Sequence, residues 1–244
     1  MMKAVLTGHT RGLGAALADD LLSRDIPVLA IARARNTDLG QRYPALLKQE
    51  ELDLSDSAAL THWLSSGVLQ GFFSRCQTAL LINNAGMLQP VGPIDVQDVA
   101  TIGRAVALNV ATPMMLASAV AALPAITEKR IIHVSSGAAR NAYAGWSIYC
   151  ATKAALDQHA RAVVQDRMTG LRICSLAPGV IDTDMQAEIR ASSSEQFPQR
   201  EKFDNLKKNG DLASPADCAR AMVDYLLSAG FGQLPTADMR EITA

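Results

Sequence analysis

Two side chains able to move a proton stand four residues apart in 146-WSIYCATK-153, where Tyr149 and Lys153 share one face if the stretch is helical. A free phenol titrates near ~10 and is a weak base at neutral pH. A neighbouring ammonium favours the phenolate, which would let the pair exchange a proton with a substrate oxygen. Such a pair also arises by chance in a chain of 244 residues with four tyrosines, so its meaning depends on what lies upstream. Ser136 is the nearest addition. It follows the apolar run 130-RIIHVS-135, which reads as a strand. A hydroxyl at a strand's carboxyl end sits where α/β sheets bind ligands, and it could donate to an oxygen that gathers negative charge. Ser135 is the weaker candidate.

A second chemical feature opens the chain. Directly after the apolar 3-KAVLT-7 comes 7-TGHTRGLG-14, and then a helical pattern with Leu13, Leu17 and Leu21 on one face. Gly8, Gly12 and Gly14 allow a sharp turn and a close backbone approach to a ligand. The free N–H groups at the start of a helix suit a pyrophosphate. Strand, glycine turn and helix together predict dinucleotide binding, and the lack of a terminal Gly-Lys-Ser/Thr excludes a Walker A loop. The end of the second strand reads 32-ARAR-35, with Ala32 where an NAD site would place a carboxylate for the ribose. Arg33, Arg35 and Arg11 instead offer guanidinium groups to a 2′-phosphate, which favours NADP(H).

These groups need a scaffold. Short apolar runs at 3–7, 27–32, 50–54, 78–83, 130–135 and 171–177 read as strands buried on both faces. Helical stretches lie between them at 12–23, 55–66, 96–123 and 147–167. Alternation of this kind predicts βαβ crossovers and a doubly wound parallel sheet in a single domain covering 1–244. The stretch 182–211 is polar and charged, carries a serine run and shows little core material. It reads as a surface excursion or as a lid over a site.

Composition narrows the class. Hydrophobic content of 49% with 19% charged residues describes an ordinary globular chain, and a formal net charge of -1 gives no general reason to bind nucleic acid or an anionic membrane. No run of 18 apolar residues is present, and the N-terminus does not read as a signal peptide. The four cysteines, Cys76, Cys150, Cys174 and Cys218, are widely spaced and suggest reduced thiols in a cytoplasm. His9, His62, His133 and His159 show no ligand spacing, so no metal is expected.

Taken in order, TGxxxGxG, the NNAG at 83–86, a helical Asn109, a serine 13 residues before YxxxK, and 178-PGVIDT-183 resemble the short-chain dehydrogenase/reductase family over nearly the whole chain. Within it, 135-SSGAARNAYAGWSIYCATKAALD-157, 177-APGVIDTDMQAEIR-190 and 208-KNGDL-212 are similar to sepiapterin reductases and to bacterial reductases of aromatic 1,2-diketones such as benzil. The resemblance implies a Rossmann fold with a mostly seven-stranded parallel sheet. It implies Asn109, Ser136, Tyr149 and Lys153 as the catalytic set, with Lys153 also holding the nicotinamide ribose and Asn109 positioning a relay water. Cofactor contacts would come from Gly8, Thr10, Arg11, Gly12, Leu13, Gly14 and Arg33. Asp53 and Leu54 would stand at the adenine edge, and Asn83, Ala85 and Gly86 along the adenosine. Pro178, Gly179, Ile181 and Thr183 would lie at the carboxamide.

The substrate would meet Met87, Leu88, Gly137, Ala138, Tyr143, Trp146 and Met185, side chains that suit a flat, largely apolar carbonyl compound. Sepiapterin reductases anchor the pterin through an Asp near the C-terminus. In 235-PTADMREITA-244 Glu241 stands nearest that position, with Asp238 earlier, and this departure favours a diketone or another small carbonyl. The expected activity is NADPH-dependent carbonyl reduction with Tyr149 as general acid. A β-ketoacyl carrier-protein reductase shares the catalytic set, and a non-catalytic NADPH sensor is the reading from another class. Family members commonly pair through the helices at about 96–123 and 147–167, which implies a homodimer or homotetramer.

Overall fold

The run 28-VLAIA-32 has no polar side chain, and every one of its residues is buried. Such a strand needs a covered surface on both sides, which fixes the layering of the fold. A computed structural model of the chain describes residues 1–193 and 195–242; Ser194, inside the 182–211 stretch, and residues 243–244 fall outside the description. The strands are β1 (Met2–Thr7), β2 (Val28–Ala32), β3 (Leu47–Glu51), β4 (Thr78–Asn83), β5 (Glu128–Val134), β6 (Leu171–Ala177) and β7 (Thr236–Asp238). They form one seven-stranded sheet in the order β3-β2-β1-β4-β5-β6-β7, with every pairing parallel. This is the doubly wound Rossmann arrangement, and the strand order reverses between β1 and β4.

The helices are α1 (Gly12–Ser23), α2 (Thr37–Arg42), α3 (Ser57–Ser65), α4 (Val68–Phe72), α5 (Val99–Val106), α6 (Thr112–Ala121), α7 (Ser147–Gln165), α8 (Asp184–Ala191), α9 (Arg200–Asn209), α10 (Pro215–Leu227) and α11 (Met239–Ile242). Alternation along the strands divides the core. Ala4, Leu6, Leu80 and Ile82 face α1 and α10, while Val5, Ala79 and Leu81 face α3, α4 and α6. Burial of each Leu or Ile on either side is worth roughly 1.5–3 kcal/mol, so apolar residues are required without interruption.

Two strands depart from the sequence reading. The third lies at 47–51 rather than 50–54, because it is a sheet edge built from LKQEE and lacks the expected apolar run. The seventh, implied by the resemblance but matched by no apolar run, is the three-residue Thr236–Asp238. The helix expected over 96–123 begins at Val99 and changes pitch, with Ala107–Ala111 forming a π-helical turn between α5 and α6. By length and composition alone, Val99–Ala121 is apolar enough to cross a membrane, an exception to the expectation. Here Leu116, Ala117 and Val120 pack on the sheet, and Val99 and Val106 remain exposed.

The 182–211 stretch contains more core material than expected. α8, α9 and the segment between them bring Ile189, Phe203 and Phe197 into a third cluster with Leu88, Ala138, Trp146 and Tyr149. Phe197 is fully buried and stacks on Trp146 with ring centres 4.3 Å apart and planes 6° from parallel. Gly145, at φ +81, lets the chain turn beneath the Gln196 carbonyl, where a Cβ would collide. Phe197→Ala should therefore lower unfolding stability by about 3–5 kcal/mol, read as a shifted urea midpoint. A change under about 1 kcal/mol would show that the stack carries no load.

Candidate active site

A cavity of about 990 Å³ opens at the carboxyl ends of the strands, beside the point where the strand order reverses. One arm is floored by the turn between β1 and α1. Gly8 and Gly12 have φ of +76 and +54, and a Cβ at Gly14 would overlap the Gly8 carbonyl oxygen. Asn84 braces the turn from below: its side-chain amide donates to the carbonyls of Thr7 and Gly8 at 3.0 and 3.2 Å. Thr7 Oγ1 accepts in return from the backbone N–H groups of Asn84 and Ala85 at 3.0 and 2.9 Å. On the outer side Asn36 reaches the carbonyls of His9 and Thr10, while His9 and Asn36 N both contact Gln49 Oε1 at 2.7 Å.

No side chain caps α1, so its first N–H groups face the cavity past Gly12 and Leu13. A glycine-lined floor and an uncapped helix start fit a pyrophosphate. Gly14→Ala should destabilise by roughly 1–3 kcal/mol through this overlap, whereas Gly71→Ala, with nothing within 4 Å, should be neutral or gain about 0.5–1 kcal/mol as helix propensity rises. Matched thermal melts of the two variants compare them directly.

The three arginines have different surroundings. Arg35 pairs with Glu51 at 2.9 Å and does not line the cavity. Arg11 pairs with Asp184 at the start of α8, at 3.2 Å. Arg33 lines the cavity, is exposed, and makes no hydrogen bond or ion pair among the described residues. Its charge helps hold the Asp53 carboxyl below its ordinary range, after the larger contribution of hydrogen bonds from Ser55. Arg33 and Asp53 thus mark the outer end of this arm, with Leu54 beside them and Ala85 and Gly86 along its wall. Asn83 does not line it: its amide is buried, contacting His133 Nδ1 at 3.1 Å and the Pro113 carbonyl at 3.4 Å. Because side chains alternate along β4, Asn84 rather than Asn83 meets the glycine turn.

At the other arm α7 carries Tyr149 in its first turn and Lys153 one turn later, both buried and both lining the cavity. The Ser136 hydroxyl is hydrogen-bonded to the Tyr149 phenol, and Ser136 Oγ accepts from Ala138 N at 3.1 Å. Ser135 is turned elsewhere, donating to the buried Asp157 at 2.8 Å beside Ser175 at 2.7 Å. Lys153 Nζ donates to the Val134 carbonyl at 2.8 Å and lies 5.7 Å from the Tyr149 ring centre. Burial pushes the Tyr149 phenol up to about 12, with Ser136 opposing, and pushes Lys153 down to about 8, with Asp157 opposing. The sequence reading has Lys153 and a positively charged nicotinamide together draw the phenol toward neutrality; among the protein's own groups desolvation dominates instead. At neutral pH the phenol keeps its proton.

Asn109 stands behind the wall and does not face the cavity. Its Oδ1 accepts from Met87 N at 2.9 Å, and its Nδ2 donates to Met87 O at 2.8 Å and to Thr152 Oγ1 at 3.2 Å. The π-helical turn aims it there, so it clamps the loop after β4 against α7. Thr10, Pro178, Gly179, Ile181 and Thr183 line the cavity where the two arms meet.

Met87, Gly137, Tyr143, Trp146 and Met185 also line it, with Leu88 and Ala138, so Trp146 serves both the wall and the aromatic cluster. Glu241 does not line the cavity; Asp238 and Arg240 do. β7 directs Asp238 inward, and the turn into α11 carries Glu241 past the opening. The sequence reading offered Asp238 only as the earlier alternative to Glu241, and it missed Arg240 and the bracing role of Asn84, although that residue stands inside NNAG. Among the described residues no group of three or more His, Cys, Asp or Glu is placed to hold a metal.

Comparison with known proteins agrees with this geometry. The family model for short chain dehydrogenases matches residues 2–194. A benzil reductase ((S)-benzoin forming) of Bacillus cereus is 33% identical over 241 residues, covering 96% of this chain and 97% of that protein. The sepiapterin reductase of Mus musculus is 33% identical over 239 residues, covering 91% and 90%. The crystal structure of a short-chain dehydrogenase/reductase from Burkholderia vietnamiensis shares 48% identity at a TM-score of 0.72, covering 99% and 98%.

Proposed function

The chain belongs to the short-chain dehydrogenase family of oxidoreductases, and from that membership we propose that it is an NADPH-dependent carbonyl reductase acting on small aromatic or 1,2-dicarbonyl ketones. The observation that carries the reading is the meeting of Tyr149, Ser136 and Lys153 in the same cavity as the glycine turn and the free Arg33. A nicotinamide dinucleotide supplies the hydride when bound. Gly8, Gly12 and the start of α1 would hold its pyrophosphate, Arg33 its 2′-phosphate, Lys153 its ribose, and Ile181 and Thr183 its carboxamide.

The residues around the carbonyl do the rest. Tyr149 holds a proton at neutral pH and gives it to the carbonyl oxygen as that oxygen becomes an alkoxide. Ser136 donates a hydrogen bond to the same oxygen, a contact that strengthens as charge develops. Lys153 lies close enough to stabilise the phenolate left behind. Asn109 holds Met87, and with it the loop after Gly86, in register with α7. Trp146, Phe197 and Phe203 exclude water from that end of the cavity. The apolar walls suit aryl groups, as the names of the Bacillus cereus and Mus musculus relatives also suggest.

The test is NADPH oxidation, followed by absorbance, with a panel of 1,2-diketones, quinones and pterins. Turnover of an aromatic diketone is expected. Tight NADPH binding without turnover of any of them would favour the sensor instead. The same reading puts the protein in the cytoplasm as a homodimer or homotetramer joined through α5, α6 and α7, where Val99, Val106 and Val164 are exposed.

A further inference from the structure

At the substrate end the cavity wall is closed by an ion pair. The Asp238 side chain is 4% exposed, and that of Arg240 is 67% exposed. Arg240 Nε donates to Oδ1 at 2.9 Å, its Nη2 to Oδ2 at 2.6 Å, and its backbone N–H to Oδ1 at 3.0 Å. Both carboxylate oxygens therefore already have donors, and the positive charge of Arg140 lies nearby as well. Asp238 has little left to offer a substrate amine or amidine.

Arg240 differs. Its stem lies 3.7–3.9 Å from where a Cβ at Gly179 would stand, so it crosses the loop after β6, and its Nη1 has no partner among the described residues. Lys202 of α9 also lines the cavity, its Nζ 5.9 Å from the centre of the ring of Tyr143, a residue that Arg240 senses too, and it makes no ion pair among the described residues. The carboxylates that line the cavity close by are engaged: Glu188 accepts from Gln89 at 2.7 Å, and Asp184 pairs with Arg11. Glu241 acts on Arg240 from outside the cavity. The mouth around Tyr143 thus offers unpaired N–H donors on two cations.

We propose that Arg240 is a specificity-determining residue: it silences Asp238 and, with Lys202, receives an anionic oxygen group on the far side of the substrate, so that ketones carrying a carboxylate are preferred over neutral or amine-bearing ones. A guanidinium with a free edge recognises a carboxylate through charge-assisted hydrogen bonds. This inference rests on the carbonyl-reductase reading but is tested apart from it.

Three substrates of one skeleton serve: 1-phenyl-1,2-propanedione, its para-carboxylate and its para-aminomethyl analogue. Turnover of the parent tests the reductase reading. The ratio of kcat/KM for carboxylate over parent tests this one, and it should be about 10-fold or more, expressed in KM. In Arg240→Met the ratio should fall to within about 2-fold, and the aminomethyl analogue should gain as Asp238 is freed. Asp238→Asn, which keeps the guanidinium, should retain or raise the carboxylate preference. General damage to the fold would lower all three substrates together and leave the ratios in place. Should no substrate turn over, calorimetric binding of the same three compounds to the NADP⁺-loaded enzyme reads the ratio directly. Equal preference in the wild type, or an unchanged ratio in Arg240→Met, would overturn the proposal.

Discussion

Tyr149→Phe should reduce the kcat of diketone reduction by about 10³-fold or more, while the dissociation constant for NADPH changes by less than about 3-fold. The substitution removes one oxygen and nothing else. Tyr149 is 7% exposed, and its ring packs edge-on against Trp146 with centres 5.5 Å apart, a contact that Phe reproduces. Ser136 loses one partner and keeps Ala138 N, so no buried donor is stranded in a way that would unfold α7. What disappears is the proton itself. Burial sets the phenol to about 12, so nearly every molecule carries that proton at neutral pH, and no other cavity group shares its position beside Ser136. Lys153, at about 8, loses its charge first as pH rises, and the wild-type rate should decline from about pH 8 as the phenolate loses its cationic support. Stopped-flow single turnovers separate the chemical step from product release. A loss below 10-fold would remove Tyr149 from the chemistry.

The sequence was most legible where burial is two-sided. β1, β4 and β6 and helix α1 lie within a residue or two of their expected places, because their apolar runs have one physical explanation. The sheet edges were not legible. β3 carries Lys48, Gln49 and Glu50, since only one face needs covering, and three-residue β7 leaves no periodic trace. The site divides in the same way. Glycines under backbone constraint, and the i, i+4 pair on α7, can be read from spacing alone. Which of two adjacent asparagines meets the turn depends on strand phase, and which of Asp238 and Glu241 faces the cavity depends on a turn between β7 and α11. Spacing reports the charge next to Tyr149 and says nothing of the desolvation that pushes the phenol up in the protein's own pocket. The polarity of 182–211 concealed Phe197 and Phe203, two aromatic rings that fill the space over Trp146.

The arginines give the second large effect. Arg33→Ala should raise the KM for NADPH by roughly 30- to 100-fold and leave that for NADH within about 2-fold, the loss of one or two charge-assisted hydrogen bonds. Arg33 is singled out by its surroundings rather than by its residue type. Arg35 is tied to Glu51 along the sheet edge, at 2.9 Å and outside the cavity, so Arg35→Ala should cost a few-fold at most. Arg11 must leave Asp184 before it can meet a phosphate, and its exchange of one anion for another yields a smaller gain. Arg33 gives up no ion pair and stands across the cavity rim from Asp53, whose carboxylate is held in place by Ser55. That carboxylate cannot swing over to neutralise the guanidinium without breaking both bonds. A 2′-phosphate dianion meets an unengaged cation here, whereas a 2′-hydroxyl meets a group with which it has little to exchange. The effect should weaken as salt is raised, since Arg33 is exposed. Equal losses with NADPH and NADH would instead place Arg33 at a part of the dinucleotide common to both, and the basis of the NADP(H) assignment would have to be sought elsewhere in the turn.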